Sequence, residues 1–244
     1  MSGGPILLRL TVTVGLLTAL VFVIADPREV ASLIGGIGLL SLVTVVLLSL
    51  CDRFIMAYKW WLLLRSRRLA VSLWMAVRCY LASSLYGLIL PVTVGADAVR
   101  ILALRHVEMI EVTASILVER GLGVIAMGSV ALLSCLLLAT TVTQFEVQSL
   151  TLWLIVGFLA AIVLFTASLH IADRWAASKQ SSSPSRLRKA AEAYGRYRHQ
   201  PGLLTLFYAL SVGESLLSAV IAYVAAVGLG ISLPLYLFIA TVPL

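Results

Sequence analysis

Charge is scarce in this chain: Asp, Glu, Lys and Arg together make up 12% of its 244 residues, against 61% hydrophobic residues. A soluble domain carries about 25% charged and roughly 45–50% apolar residues, so this composition excludes a water-soluble enzyme or binding module. Cysteine is scarce as well. Cys51, Cys79 and Cys135 stand far apart inside apolar stretches with no paired spacing, which excludes a disulfide-stapled secreted domain and reads as core packing. The sequence lacks a Walker loop, an HExxH, a GxSxG and any metal-ligand cluster, so neither a cofactor nor a metal is expected. His106, His170 and His199 lie near the ends of apolar runs and read as interface residues. The formal charge of +7 would suggest a nucleic-acid partner in a soluble chain. Here the basic residues cluster between apolar runs, and no nucleic-acid role is expected.

What is present is a series of apolar runs, over 6–25, 34–64, 73–90, 112–143, 150–171 and 203–227, with a last one starting at 233. A helix needs about 20 apolar residues to cross the hydrocarbon core, whereas a β-barrel shows roughly ten-residue alternating segments. The runs are of the helical kind, and the mean hydropathy of +1.06 agrees. The first could be a cleaved signal peptide, since Val23 and Ala25 precede Asp26; its length and nearly absent basic flank favour an uncleaved first helix. The last run has twelve residues, too few to span, so the sequence reads as the first part of a longer membrane protein.

Lys and Arg in short loops stay cytoplasmic. Arg65, Arg67 and Arg68 follow the second run, and a basic segment over 173–201 follows the fifth, so both are expected inside, as is the N-terminus. Three full crossings between them would place them on opposite sides. One run therefore cannot cross fully, and the candidate is the one ending in the Pro91 to Gly95 break. Broken backbone within a membrane is tolerated where it is buried in protein or lines a cavity. The expectation is a re-entrant hairpin over about 73–106, entering near Leu73, turning at Pro91 to Gly95, and returning as a half-helix from Ala98 to about His106.

Ionisable residues inside membrane segments are costly and mark candidate sites. Asp97 is placed to cap the returning half-helix, with Arg100 one turn on; a half-helix N-terminus and an Arg fork both suit an anionic group. The plainer reading is a cap and an i, i+3 ion pair. Glu119 and Arg120 lie deep in the fourth run, and cross-pairs of Arg120 with Asp97 and Glu119 with Arg100 would lower the cost of burying them. Glu214 sits near the centre of its run among Ser211, Gly213, Ser215 and Ser218, and should be protonated, paired or facing water. The plainer reading there is a small-residue helix contact. Asp52 and Arg53 are expected near the cytoplasmic side, and Arg53, Lys59, Trp60 and Trp61 read as membrane-interface residues. Within 173–201, the stretch 186–198 reads either as a basic helix on the membrane surface, attracting anionic lipid, or as an ordinary cytoplasmic loop.

The stretch 86–100, with Pro91, Gly95, Asp97 and Arg100, followed by Glu119-Arg120, resembles the transmembrane region of lysylphosphatidylglycerol synthases, the flippase-like domain family. Ala96 stands where that family commonly has a second glycine, and the stretch from Arg53 to Lys59-Trp60 is similar to its early basic-Trp element. Members usually continue with a further broken segment carrying Pro, Gly-Gly and Glu, which would lie beyond Leu244. The resemblance implies movement of an aminoacylated phospholipid between leaflets. The chain carries no synthase domain, so it implies translocation rather than aminoacyl transfer.

The expectation is therefore an all-α, polytopic integral membrane helical bundle, one domain over 1–244, the first part of an inverted-repeat fold in a bacterial cytoplasmic membrane. Its expected activity is translocation of a phospholipid or lipid-linked headgroup, bound by Pro91, Gly95, Asp97, Arg100, Glu119, Arg120 and Glu214. The alternatives are the membrane half of an envelope-lipid aminoacyl- or glycosyl-transferase, and a scaffold without transport.

Overall fold

The computed structural model describes residues 35–89, 93–141, 145–178 and 186–242. The expected first helix over 6–25 and Pro91 lie outside them. The described residues are helical and contain no strand: α1 (Leu39–Ser66), α2 (Leu73–Ile89), α3 (Thr93–Ala103), α4 (Met109–Thr141), α5 (Phe145–Ala177), α6 (Arg186–Gly195), a 3₁₀ turn (Arg196–His199), α7 (Pro201–Gly228) and α8 (Leu235–Thr241). Within these, Leu39–Ser66, Met109–Leu136, Thr151–Ala177 and Pro201–Gly228 are long and apolar enough to cross a membrane.

Burial separates the four spans by role. In α4, 44% of the apolar window is buried inside the protein, against 6% in α1 and in α5. α4 is thus the central helix, in contact with α1, α3, α5, α6, α7 and α8. The outer faces of α1 (Leu40, Leu47, Leu50) and α5 (Trp153, Val163, Leu164) stay exposed, as lipid-facing surface requires. Two apolar clusters hold the bundle together. One joins Trp60 and Leu64 of α1 to Ala76 and Tyr80 of α2, Leu104 beyond α3, and Val112 of α4. The other joins Leu63 and Val118 to Leu169 of α5, Tyr197, and Phe207 of α7.

The basic segments converge at one end of the bundle. Arg67, just past α1, makes a two-pronged contact at 2.9 and 3.0 Å with Glu111 in the first turn of α4. The α2–α3 pair therefore leaves and returns at the same end, and its two helices pack against each other. The expected half-helix over 98–106 is corrected: α3 starts at Thr93, and Gly95, Ala96 and Asp97 are all inside it. Gly95-Ala96 continues the helix, and Ala96 faces Gly87 of α2. A Cβ added to Gly87 would lie 3.5 Å from the Ala96 Cβ. Asp97, four residues in, is not the N-cap.

Of the segment 173–201, residues 173–178 and 186–201 are described, and the helix alternative holds over Arg186–Gly195. α5 continues to Ala177, and α6 with the 3₁₀ turn packs against α5, while α6 also packs against α4. Tyr197 is fully buried and its hydroxyl donates to the Leu63 carbonyl at 3.2 Å. Burial raises the pKa of that phenol, so it stays a donor. Arg198 and His199 reach Asp173 at 3.0 and 3.3 Å. At the helix ends the backbone turns over left-handed residues, Arg68 after α1 and Gly230 after α7. In each case an amide beyond the turn reaches back to the helix, Leu69 to Leu64 and Ile231 to Ala226.

Gly195 is where α6 meets α5 most closely: a Cβ there would stand 2.6 Å from the Asp173 amide nitrogen and 2.7 Å from its Cα. Backbone cannot move aside as a flexible side chain can. Gly195→Ala is expected to destabilise the protein by about 1–3 kcal/mol, as overpacking does. Gly202→Ala, with open space around its Cβ, should leave stability near wild type. Thermal unfolding in detergent, followed by circular dichroism, checks both.

A buried charge network beside a lateral cavity

α3 is short, and its Arg100 is carried inward until the side chain is only 2% exposed. An arginine remains charged at any accessible pH, so it must be paired where it is buried. Its guanidinium donates from one terminal nitrogen to Glu119 Oε2 at 2.7 Å and from the other to Asp97 Oδ1. Two aromatic faces complete the enclosure, Tyr80 at 4.8 Å and Trp60 at 5.1 Å from the guanidinium carbon. Trp60 is itself fixed by an indole N–H to Ser115 Oγ hydrogen bond of 3.1 Å.

The network runs on in both directions. Asp97 accepts a two-pronged contact from Arg120, at 2.8 Å from Nη2 and 3.1 Å from Nε. Glu119 Oε1 accepts the Tyr80 hydroxyl at 3.1 Å. The chain Arg120, Asp97, Arg100, Glu119, Tyr80 thus links α2, α3 and α4 through alternating charge. Both cross-pairs anticipated from the sequence, Arg120 with Asp97 and Arg100 with Glu119, are present.

A second pair faces it from α1 and α7. Lys59 donates to Glu214 and, at 2.9 Å, to Ser211 Oγ. Its ammonium also lies 5.0 Å from the centre of the Phe207 ring. Expected at the membrane interface, Lys59 and Trp60 are instead inside the bundle, 5% and 0% exposed. The reason is that the second half of α1 is covered by α2, α4 and α7, and the carboxylate of Glu214 would otherwise be buried without a cation. Arg53 is half-exposed, and Trp61 sits toward the basic end, donating to the Val71 carbonyl at 3.1 Å beneath Arg65. Asp52 lies midway along α1 and is buried.

Between these two walls is a cavity of about 280 Å³, with Tyr80, Glu119 and Arg120 on one side and Lys59, Ser211 and Glu214 on the other. Met56, Val124 and Met127 supply its apolar lining. Arg120, Val124 and Met127 are each about half-exposed, so the cavity opens sideways through the outer surface of the bundle. Along α4, Arg120 is about 17 Å from the helix start by the 1.5 Å rise, deep in the span. Gly95 lies on α3 two residues before Asp97, and Pro91 is outside the described residues. Sequence reasoning missed Lys59, Tyr80 and Ser211 as cavity residues. A lone carboxylate in α7 demanding a cation, with Lys59 seven residues inside the end of α1, was the available signal for the first.

The Lys59–Glu214 pair predicts a specific stability pattern. Lys59→Met or Glu214→Met alone leaves one buried charge without its partner and is expected to cost about 3–5 kcal/mol. The double variant should recover most of that loss, which a thermal double-mutant cycle measures.

Comparison with curated proteins and with solved structures gives no match. One family model matches, the lysylphosphatidylglycerol synthase TM region, over residues 6–244. With four candidate membrane spans, a charge network spaced as the 86–120 pattern predicts and a family match over almost its whole length, this is a multi-pass membrane protein that belongs to the lysylphosphatidylglycerol synthase TM region family.

Proposed function

We propose that this protein translocates a phospholipid or lipid-linked headgroup across the membrane, and that the lateral cavity is where the headgroup binds. The observation that carries this reading is a charged, sideways-opening cavity deep in an apolar bundle. A lipid headgroup has to cross the hydrocarbon core while its acyl chains remain in it. A polar cavity reached from the side lets it do so without exposing charge to lipid. The walls supply both kinds of partner: Arg120 and Lys59 for phosphate, Glu119 and Glu214 for a cationic group or a proton. Three cations (Lys59, Arg100, Arg120) balance three carboxylates (Asp97, Glu119, Glu214), so the cavity walls are held without net charge until a headgroup enters.

In this reading the α2–α3 pair is a re-entrant hairpin in a bacterial cytoplasmic membrane, with the basic end of the bundle inside. The common end reached by Arg67, Glu111 and Arg196 supports it, as does the concentration of Arg and Lys there. Arg100 acts as the structural centre of the site, since both its carboxylate partners are already engaged. Arg120, half-exposed at the cavity mouth, is the phosphate-facing cation.

The test is transport of a fluorescent headgroup-labelled phospholipid in proteoliposomes, read by chemical quenching of the outer leaflet. Arg120→Gln should lower the rate about tenfold or more, as loss of a charged hydrogen bond to the headgroup would, while insertion and folding persist. Wild-type rate in that variant overturns the phosphate role. For the carboxylate, Glu214→Gln with unchanged rate and unchanged pH dependence would remove it from the mechanism.

A further inference from the structure

A second cavity, of about 630 Å³, lies away from the charge network, between the start of α4 and the first half of α6. Its floor is one stripe of α4, formed by Met109, Ile110, Thr113, Ala114 and Leu117, spanning about 12 Å along the helix. Its other wall is Arg186, Leu187 and Ala190 of α6. α6 is buried against the bundle by its far half, while its first half is tied to α5 by Arg188, which donates to the Ala176 carbonyl at 3.1 Å. Ala193, Gly195 and the following Tyr197 are buried, while Arg186 and Leu187 remain exposed. The two helices therefore stay apart at the end where α6 begins.

We propose that this slot is a binding site for an anionic phospholipid, with an acyl chain along the α4 stripe and the phosphate on Arg186. Three observations point to this occupant rather than to a protein helix. The slot covers the first nine residues of a helix long and apolar enough to cross a membrane, where a lipid's upper acyl chain would lie beside its headgroup. Its lining is apolar apart from Thr113 at the floor and a single cation at the rim, the division of a lipid between tail and phosphate. Its α6 side is mainly basic, while on the α4 side Glu108 is exposed beside Met109 and Glu111 is taken by Arg67. α6 carries Arg186, Arg188 and Lys189 against Glu192, whose carboxylate is taken by Arg196. A bound lipid would fill the gap that separates α6 from α4 and so brace the basic end of the bundle. The site is independent of the headgroup cavity and stands whether or not the protein transports lipid.

The test is photo-crosslinking of the full chain in nanodiscs, using phosphatidylglycerol or phosphatidylcholine carrying a diazirine in the acyl chain, followed by peptide mapping. Expected is labelling of Met109, Thr113 or Leu117 by the phosphatidylglycerol probe, exceeding that by phosphatidylcholine. Arg186→Ala should reduce it about fivefold, the worth of one basic residue at a lipid surface. Arg186→Lys should retain it. Because Arg186 is exposed, neither change threatens folding; Ala190→Trp, which places a bulky ring in the slot, provides a second reading and should reduce the labelling. Equal labelling by both probes with no effect of Arg186→Ala shows ordinary boundary lipid and overturns the proposal, as does labelling confined to the outer face of α5.

Discussion

The fold depends on one constraint: a guanidinium that cannot lose its charge is held inside an apolar bundle. Arg100 must be neutralised where it stands, and everything around it follows from that need. Asp97 and Glu119 bind it from α3 and α4, Tyr80 and Trp60 close over its faces from α2 and α1, and Ser115 orients Trp60. Four helices are thereby tied to one side chain. α2 buries Ala76, Val77 and Tyr80 in the apolar cluster it shares with α1, and the charge network ties it and α3 to the central α4.

Buried ion pairs are poor sources of stability, since the desolvation cost roughly offsets the attraction. A bundle built only to be stable would fill these positions with Leu and Phe. That it holds Lys59 against Glu214 across a gap from Arg120 and Glu119 separates the cavity from the rest of the core. Apolar packing concentrates toward the basic end, where Leu63, Val118, Leu169 and Phe207 meet, and reaches the network through Trp60 and Tyr80. The protein thus divides into a packed, charge-clasped end and an apolar outer surface, with the polar cavity between them opening to the side.

Charge at the basic end works differently. Arg67 with Glu111, mostly buried, and Arg198 with Asp173, more exposed, join elements distant in sequence. Tyr197 inserts among them, and Gly195 allows the backbones of α6 and α5 to touch. At the opposite end α1 and α7 approach through small residues. A Cβ on Gly228 would lie 2.8 Å from the Ser41 Cβ, as expected where helices pack without a hydrophobic driving force between them.

The amino-acid sequence by itself determined that the chain is helical and spans a membrane, because hydropathy over twenty residues is a one-dimensional property. It also determined the Arg100–Glu119 and Arg120–Asp97 pairs. Their charges have opposite signs, lie on neighbouring segments and are too deep to remain unpaired. The start of α3 was not legible, because Gly95-Ala96 reads equally as a break or as helix interior, and spacing alone does not decide between them. Lys59 was misplaced for a related reason. Hydropathy reports that a residue lies within a span but not which face of the helix it occupies, and the partner that draws it inward is Glu214, 155 positions away. The same holds for Tyr80 and Ser211, whose roles exist only once α2 and α7 are brought to α4. Composition and spacing settle what each segment is; which side chains share a cavity depends on how helices distant in sequence are rotated against one another, and that is decided by packing alone.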